Sequence, residues 1–287
     1  MSFKQKVFNS VRHNCIIRVL AFPYEVSKRK YLLHKYSKSE DSKYLKGLKD
    51  IHSGKRCFVI GNGPSLTPED LETLANNNEV SFASNRIYHI YDRTSWRPTY
   101  YISMDVDGLL TEFDRIKQGG NYTKFINFKA SKYGRNPEDN IWYLYRHGKF
   151  HIKNYVVDAD TMSEDISQYI TSVGTVTANA IEIAIYMGFK EIYLLGVDNN
   201  YAVKRREDGT VYRDPTVKSS YFAGMKDEKG NPGDGISVQT VHQMNQSYEL
   251  CKKYADSKNV KVFNATRGGM LEVFPRADFD ELFDQNS

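Results

Sequence analysis

Cys57-Phe58-Val59-Ile60-Gly61-Asn62-Gly63-Pro64-Ser65-Leu66 is the stretch on which the reading of this chain turns. Four consecutive apolar residues that stop at glycine predict a short buried strand. The Thr67-Pro68 that follows predicts a helix to Leu74, with threonine as its cap and proline at its first position. Glycine at 61 and 63 permits a tight turn and a close backbone approach. Amides ahead of a helix face outward as an anion site. Pro64 has no N–H, so the expected donors are Gly63, Ser65 and the Ser65 hydroxyl. No Gly-Lys-Ser/Thr follows, so this is not a Walker loop. It also lacks the third glycine of a dinucleotide fingerprint, and Asn85 stands where an NAD site would place an acid. Asn85 is read either as a contact to base or ribose or as a helix cap.

Downstream, strand and helix signals alternate. Val80–Ala83, Tyr100–Ser103 and Lys124–Phe128 read as strands. A long apolar helix from Val173 to Met187 stops at Gly188, and the strand Glu191–Val197 comes next. Ser237–Ser257 reads as a further helix, and Val260–Phe263 as the last clear strand. This alternation predicts an α/β fold, a mostly parallel sheet with helices on both faces. Residues 200–235, rich in charge, glycine and proline, are too long for an ordinary connection and are expected to form a lid.

Four more constellations fall at the carboxyl ends of predicted strands or at helix starts. Thr171-Ser172-Val173-Gly174-Thr175 opens the long helix, where free amides and the helix dipole favour an anion, with Ser172 as the expected cap. Gly196-Val197-Asp198-Asn199-Asn200-Tyr201 ends a strand, and Asp198 is a candidate base, metal ligand or sugar-hydroxyl acceptor. Asp105-Val106-Asp107 follows the third strand as a possible divalent-ion pair, or as a cap before Gly108. Arg267, in Asn264-Ala265-Thr266-Arg267-Gly268-Gly269, is placed to neutralise a diphosphate or to sit on the surface of a turn. Among the histidines, His242 is the best-placed base, and no Ser-His-Asp grammar surrounds any serine.

The net charge of +5 is unevenly distributed. Residues 1–56 hold 14 Lys/Arg against 4 Asp/Glu, or +10, and the remainder carries −5. Phe3, Val7, Phe8, Val11, Cys15, Val19 and Phe22 recur at helical spacing up to Pro23, followed by Lys28-Arg29-Lys30. Residues 1–53 are therefore expected to form a basic helical extension, and residues 54–287 a nucleotide-binding domain. The extension is either a solvated appendage or a patch for an anionic membrane surface. Cys15, Cys57 and Cys251 have neither metal nor redox spacing. With no signal segment or spanning run, they point to the cytoplasm. No nucleic-acid partner is expected, and association into a homo-oligomer is left open.

Together GNGPSL, TSVGTVTANAIEIAIYMGFKEIYLLGVD and FNATRGGMLEVFPR resemble a bacterial and archaeal family, 6-hydroxymethylpterin pyrophosphokinase-like, frequent in surface-polysaccharide gene clusters. The first two segments are also similar to bacterial lipooligosaccharide sialyltransferases, which use CMP-sialic acid. The likeness spans roughly residues 54–285 and implies a Rossmann-like fold. It implies that Asn62, Gly63 and Ser65, with Pro64 between them, contact the donor phosphate and ribose, and that Asn85 contacts the nucleotide. Ser172, with the adjoining Val173 and Gly174, would meet the donor's anionic group. Tyr201, beside Asn199, would meet the phosphate or leaving group. Where those sialyltransferases carry Ser-His-Tyr, with histidine as base, this chain has Ser219-Ser220-Tyr221, so Asp198, Asp105 or His242 would have to substitute. The resemblance thus predicts a glycosyltransferase with a nucleotide-sugar donor, plausibly a CMP-sugar, and a glycan or lipid-linked acceptor. The alternative is a diphosphokinase that moves pyrophosphate from ATP, with Mg²⁺ on Asp105, Asp107 and Asp198.

Overall fold

The computed structural model describes residues 15–147, 162–200, 203–205, 211–213 and 238–284. Its centre is a seven-stranded parallel sheet. The strands are β1 (Arg56–Ile60), β2 (Ser81–Ser84), β3 (Tyr100–Ser103), β4 (Thr123–Asn127), β5 (Ile141–Leu144), β8 (Glu191–Leu195) and β11 (Lys261–Asn264). They lie in the order β11-β8-β1-β2-β3-β4-β5. From β1 the chain winds outward through β2 to β5, then returns to lay β8 against the other side of β1. The winding direction therefore reverses between β1 and β8, where an open parallel sheet leaves a crevice at its carboxyl edge. Two short pairs lie outside the sheet: β6 (Arg146–His147) with β7 (Ile170–Thr171), parallel, and β9 (Val203–Arg205) with β10 (Val211–Arg213), antiparallel.

Strand side chains alternate between faces, and the core divides accordingly. Cys57, Val59, Phe82 and Leu194 enter one buried cluster, and Phe58, Ile60, Ala83 and Leu195 the other. The first cluster is covered by α5 (Val176–Tyr186) and α6 (Val238–Ser257), and the second by α3 (Pro68–Asn76) through Leu71 and Leu74. Helix α3 starts as its sequence predicts. The Thr67 hydroxyl accepts from the Asp70 N–H, the Asp70 carboxylate accepts from the Thr67 N–H, and Pro68 needs no partner. Helix α4 (Val106–Gln118) connects β3 to β4.

The N-terminal region differs from expectation in one respect. Helix α1 (Cys15–Ser37) runs through Pro23, where the sequence pattern predicts a stop. Proline removes one donor and crowds the preceding turn, yet a helix with residues on both sides can absorb that loss as a kink. From Tyr36 onward this region joins the main core. The Tyr36 hydroxyl donates to the Tyr143 carbonyl (2.7 Å), and Leu45 of α2 (Glu40–Gly47) is fully buried. Tyr44 stacks on Trp142 with centroids 3.6 Å apart, so α2 closes the β5 edge. Among the described residues, no helix is long and apolar enough to cross a membrane. Most of the lid expected over 200–235 lies outside the described residues.

Candidate functional site

The loop after β1 and the loop after β8 are laced together. In register, Ile60 stands beside Leu195. The Gly61 N–H donates to the Leu195 carbonyl and the Gly63 N–H to the Gly196 carbonyl, each at 2.8 Å. A Cβ on Gly61 would overlap the Gly196 carbonyl oxygen, and one on Gly63 would overlap the Asp198 carboxylate. These are close backbone approaches that only glycine permits. The Ser65 hydroxyl donates to Asp198 Oδ2 at 2.7 Å, the Ser65 N–H points to the same oxygen at 3.4 Å, and the Leu66 N–H closes on the Gly63 carbonyl.

This corrects the expectation of an open row of amides. Gly63 and Ser65 were the anticipated anion donors, and both are held by the end of β8. Asp198 supplies the negative charge that a phosphate was expected to bring. It is buried, and desolvation raises its pKa while the Ser65 bonds oppose the rise. Asp198 is braced from behind, since its carbonyl accepts from the Met270 N–H at 2.7 Å and a Cβ on Gly269 would fall 2.7 Å from the same oxygen. Thr266 fixes Val197 in the same way, by accepting its N–H at 3.0 Å.

Among the described residues, two acceptors at this edge are unmatched. The Asn62 side chain donates through Nδ2 to the Ser84 carbonyl at the end of β2 (3.1 Å), which orients its Oδ1 away, buried and without a partner. Asn199, in the left-handed region at φ +53, donates through Nδ2 to Asn245 Oδ1 of α6 (2.8 Å), and its own Oδ1 is likewise buried and unpartnered. Asn85, with φ +52, accepts the Tyr101 hydroxyl on its carbonyl and opens the 3₁₀ turn to Ile90. The cap position there belongs to Ser84, so the cap reading of Asn85 is set aside.

The opening of α5 also differs from the sequence reading. The helix begins at Val176 and its cap is Thr175, whose hydroxyl accepts the Thr177 N–H at 3.3 Å. Ser172 and Val173 precede the helix because Gly174 lies flat against α6. The Gly174 N–H donates to Ser247 Oγ at 2.8 Å, and a Cβ there would meet the Gln243 backbone at 2.8 Å. The Val173 carbonyl accepts from Arg146 at 2.6 Å. Asn245 and Ser247 are two residues apart on α6 and so reach opposite flanks, one to the β8 loop and one to the α5 loop. Neither is singled out by the sequence reading, though the polar run Gln243-Met244-Asn245-Gln246-Ser247 is a usable signal. Arg146 had none.

Behind Thr171 lies a second polar cluster that the sequence reading passed over. Glu182 is fully buried. It accepts the Ser163 N–H (2.8 Å), the Thr171 N–H (3.1 Å), the Thr171 hydroxyl and Asn179 Nδ2 (3.2 Å). Burial raises its pKa to about 7 against the pull of those donors. The lone acid in Ile181-Glu182-Ile183 is its sequence signal.

The remaining expected site residues are dispersed. Arg267 binds Asp70 and Asp280 at 2.6 Å each, so its fork ties the turn after β11 to the start of α3. That corrects its expected place on a diphosphate, which would have to displace two carboxylates. Asp105 is exposed beyond β3, and His242 is exposed on α6. Asp107 lies in the first turn of α4, but its side chain, like Tyr201, falls outside the described residues. Among the described residues no three His, Cys, Asp or Glu side chains converge as a metal site.

A parallel α/β sheet whose winding reverses between β1 and β8, with two glycine-tightened loops at its carboxyl edge, defines a fold of Rossmann-like form. The chain belongs to the 6-hydroxymethylpterin diphosphokinase MptE-like family, whose model matches residues 30–204. No curated protein matches it in sequence. Among solved structures it is similar to the Maf glycosyltransferase of Magnetospirillum magneticum AMB-1, at 15% identity and a TM-score of 0.47 over 86% of this chain. The chain spans 39% of the length of that protein. It is also similar to the sialyltransferase CstII of Campylobacter jejuni, solved in complex with a substrate analogue, cytidine-5'-monophosphate, at 17% identity and a TM-score of 0.42 over 79% of this chain and 86% of that one.

Proposed function

We propose that the chain is a transferase whose nucleotide-activated sugar donor lies in the crevice between the ends of β1 and β8, a CMP-sugar being the favoured donor. The observation behind this reading is the pair of buried carboxamide oxygens, Asn62 Oδ1 and Asn199 Oδ1, that have no donor. Buried acceptors are nearly always matched by protein or ordered water, and a ligand rich in N–H or O–H groups would match these two. Ribose hydroxyls and a cytosine amino group have that chemistry, and a bare phosphate does not. The sequence resemblance to CMP-sialic-acid enzymes supports the same nucleotide. In this reading the anionic part of the donor faces the opening of α5 near Ser172, where the helix dipole favours it. Asp198 holds Ser65 in place, and acceptor deprotonation falls to the exposed Asp105 or His242. The acceptor would be a glycan or a lipid-linked sugar.

The description of the family itself favours a second reading, pyrophosphate transfer from ATP with Mg²⁺ on the aspartates after β3 and β8. Thermal-shift measurements with CMP, CDP, UDP, GDP and ATP, each with and without Mg²⁺, separate the two. The first reading expects the largest stabilisation from a cytidine nucleotide without metal. Stabilisation by ATP alone, and only with Mg²⁺, replaces it with the second.

A further inference from the structure

Helix α1 presents two unlike sides. At about 100° per residue, Tyr24, Lys28, Tyr31 and Lys35 fall within roughly 60° of arc. All four are exposed, the two tyrosines at 65% each. Val26, Leu33 and Tyr36 lie on the far side, where Val26 and Leu33 are half-buried and Tyr36 is buried. The Lys28 ammonium sits 5.8 Å from the centre of the Tyr24 ring, so cation and aromatic share one ridge. His34 is exposed on its flank, about 60° round from Tyr31, and Lys30 is exposed about 40° further round.

We propose that this Tyr24-Lys28-Tyr31-Lys35 ridge docks on a lipid bilayer rich in anionic headgroups. A tyrosine offers an apolar ring and a polar hydroxyl, and so settles at the boundary between acyl chains and headgroups. Lysines on the same line reach the lipid phosphates with their stems along the surface. The charge division of the chain argues for this partner. Residues 1–56 carry +10 and the remainder −5, so an anionic plane attracts the N-terminal region and repels the sheet domain. That polarity orients the molecule with α1 toward the lipid. It also disfavours a nucleic acid, whose backbone would meet the acidic remainder as it bent around the arm. The inference is independent of which donor fills the crevice.

The test is flotation of the full chain with vesicles. One set is phosphatidylcholine alone and the other contains about one third phosphatidylglycerol, each run at low and high salt. The chain should float with the anionic vesicles, bind neutral ones at least tenfold more weakly, and be released by salt. Replacing Lys28→Glu, Lys30→Glu and Lys35→Glu together should weaken binding on the order of a hundredfold, since each basic residue near such a surface contributes about one kilocalorie per mole. Tyr24→Ser with Tyr31→Ser should weaken binding at high salt more than at low salt. These positions are exposed, and unchanged thermal melting of the variants checks that the fold is intact. Equal binding to both vesicle types overturns the proposal, as does undiminished binding of the triple variant. Failure to float, with tight salt-sensitive binding to duplex DNA or association into dimers that the triple variant abolishes, would assign the ridge to that other partner.

Discussion

The two buried polar clusters beside α5 and β1 contrast sharply in how they are satisfied. Around Glu182, the Ser163, Thr171 and Asn179 donors all reach its carboxylate, and no side-chain atom of the cluster is left unpartnered among the described residues. At the reversal point of the sheet, Asn62 and Asn199 each use their amide nitrogen on the protein and leave the oxygen unmet. A folded chain tolerates an unmet buried acceptor at a cost of about 1–3 kcal/mol. Such a cost persists where something other than the chain itself supplies the missing donor. The closed cluster therefore belongs to architecture, whereas in the proposed reading the open one belongs to binding, and the two should then respond oppositely to substitution.

The largest effect is expected at the closed cluster. Glu182→Gln turns an acceptor into a donor that faces the Ser163 and Thr171 N–H groups, and stability should fall by about 3 kcal/mol, read from urea melts. The pH dependence has a defined sign. Burial raises the Glu182 pKa from 4.5 to about 7, so the native state holds this proton more tightly than the unfolded chain. Its contribution is fully present below about 4.5, is lost as the pH rises toward about 7, and is level beyond. The gap between wild type and Glu182→Gln should accordingly narrow across that window. A gap that widens with pH would mean that the four donors outweigh burial.

A smaller effect is expected where the open cluster meets its scaffold. An alanine Cβ at 61 runs into the backbone of Gly196, which cannot move without breaking the β1–β8 lacing. At 63 it meets the end of the Asp198 side chain, although the Gly196 carbonyl also lies close. Gly61→Ala should therefore cost about 2–3 kcal/mol and Gly63→Ala about 1–2. Equal losses would show that the carboxylate is as rigid as the backbone. With its hydroxyl bond to Ser65 broken, the Gly63 variant should also lose its thermal-shift response to nucleotide.

This difference between clusters also decides what was legible in the sequence. Strands β1 and β8 and the start of α3 follow from local signals, since apolar runs ending at glycine and a Thr-Pro cap act within a few residues. The pair β6–β7 carries no such signal, whereas the aromatic run Ile141-Trp142-Tyr143-Leu144 of strand β5 is a usable one that the reading of strands passes over; α2 and Arg135 pack on it from outside. The glycine loop was legible as a site of close approach, but not the identity of what approaches. Only the fold brings Asp198 under Ser65, 133 residues away in the chain. Likewise the α5 start shifts from Val173 to Val176 because Gly174 is pressed against α6, a contact to which nothing in residues 171–175 alludes.

The smallest effect on stability is the one that bears most on function. Asn62→Ala removes the bond to the Ser84 carbonyl, worth about 1 kcal/mol, and at the same time removes the unmet oxygen, whose burial costs a similar amount. The two changes offset, so the melting temperature of the free protein should move little. In the presence of saturating nucleotide the wild type should gain stability according to ligand concentration over Kd, while the variant should gain almost none. Glu182→Gln should do the reverse, with a large loss in the free protein and a retained response to nucleotide. If Asn62→Ala instead destabilises the free protein as much as Glu182→Gln and still responds to nucleotide, then Asn62 is architecture too, and the ligand lies elsewhere than the reversal point of the sheet.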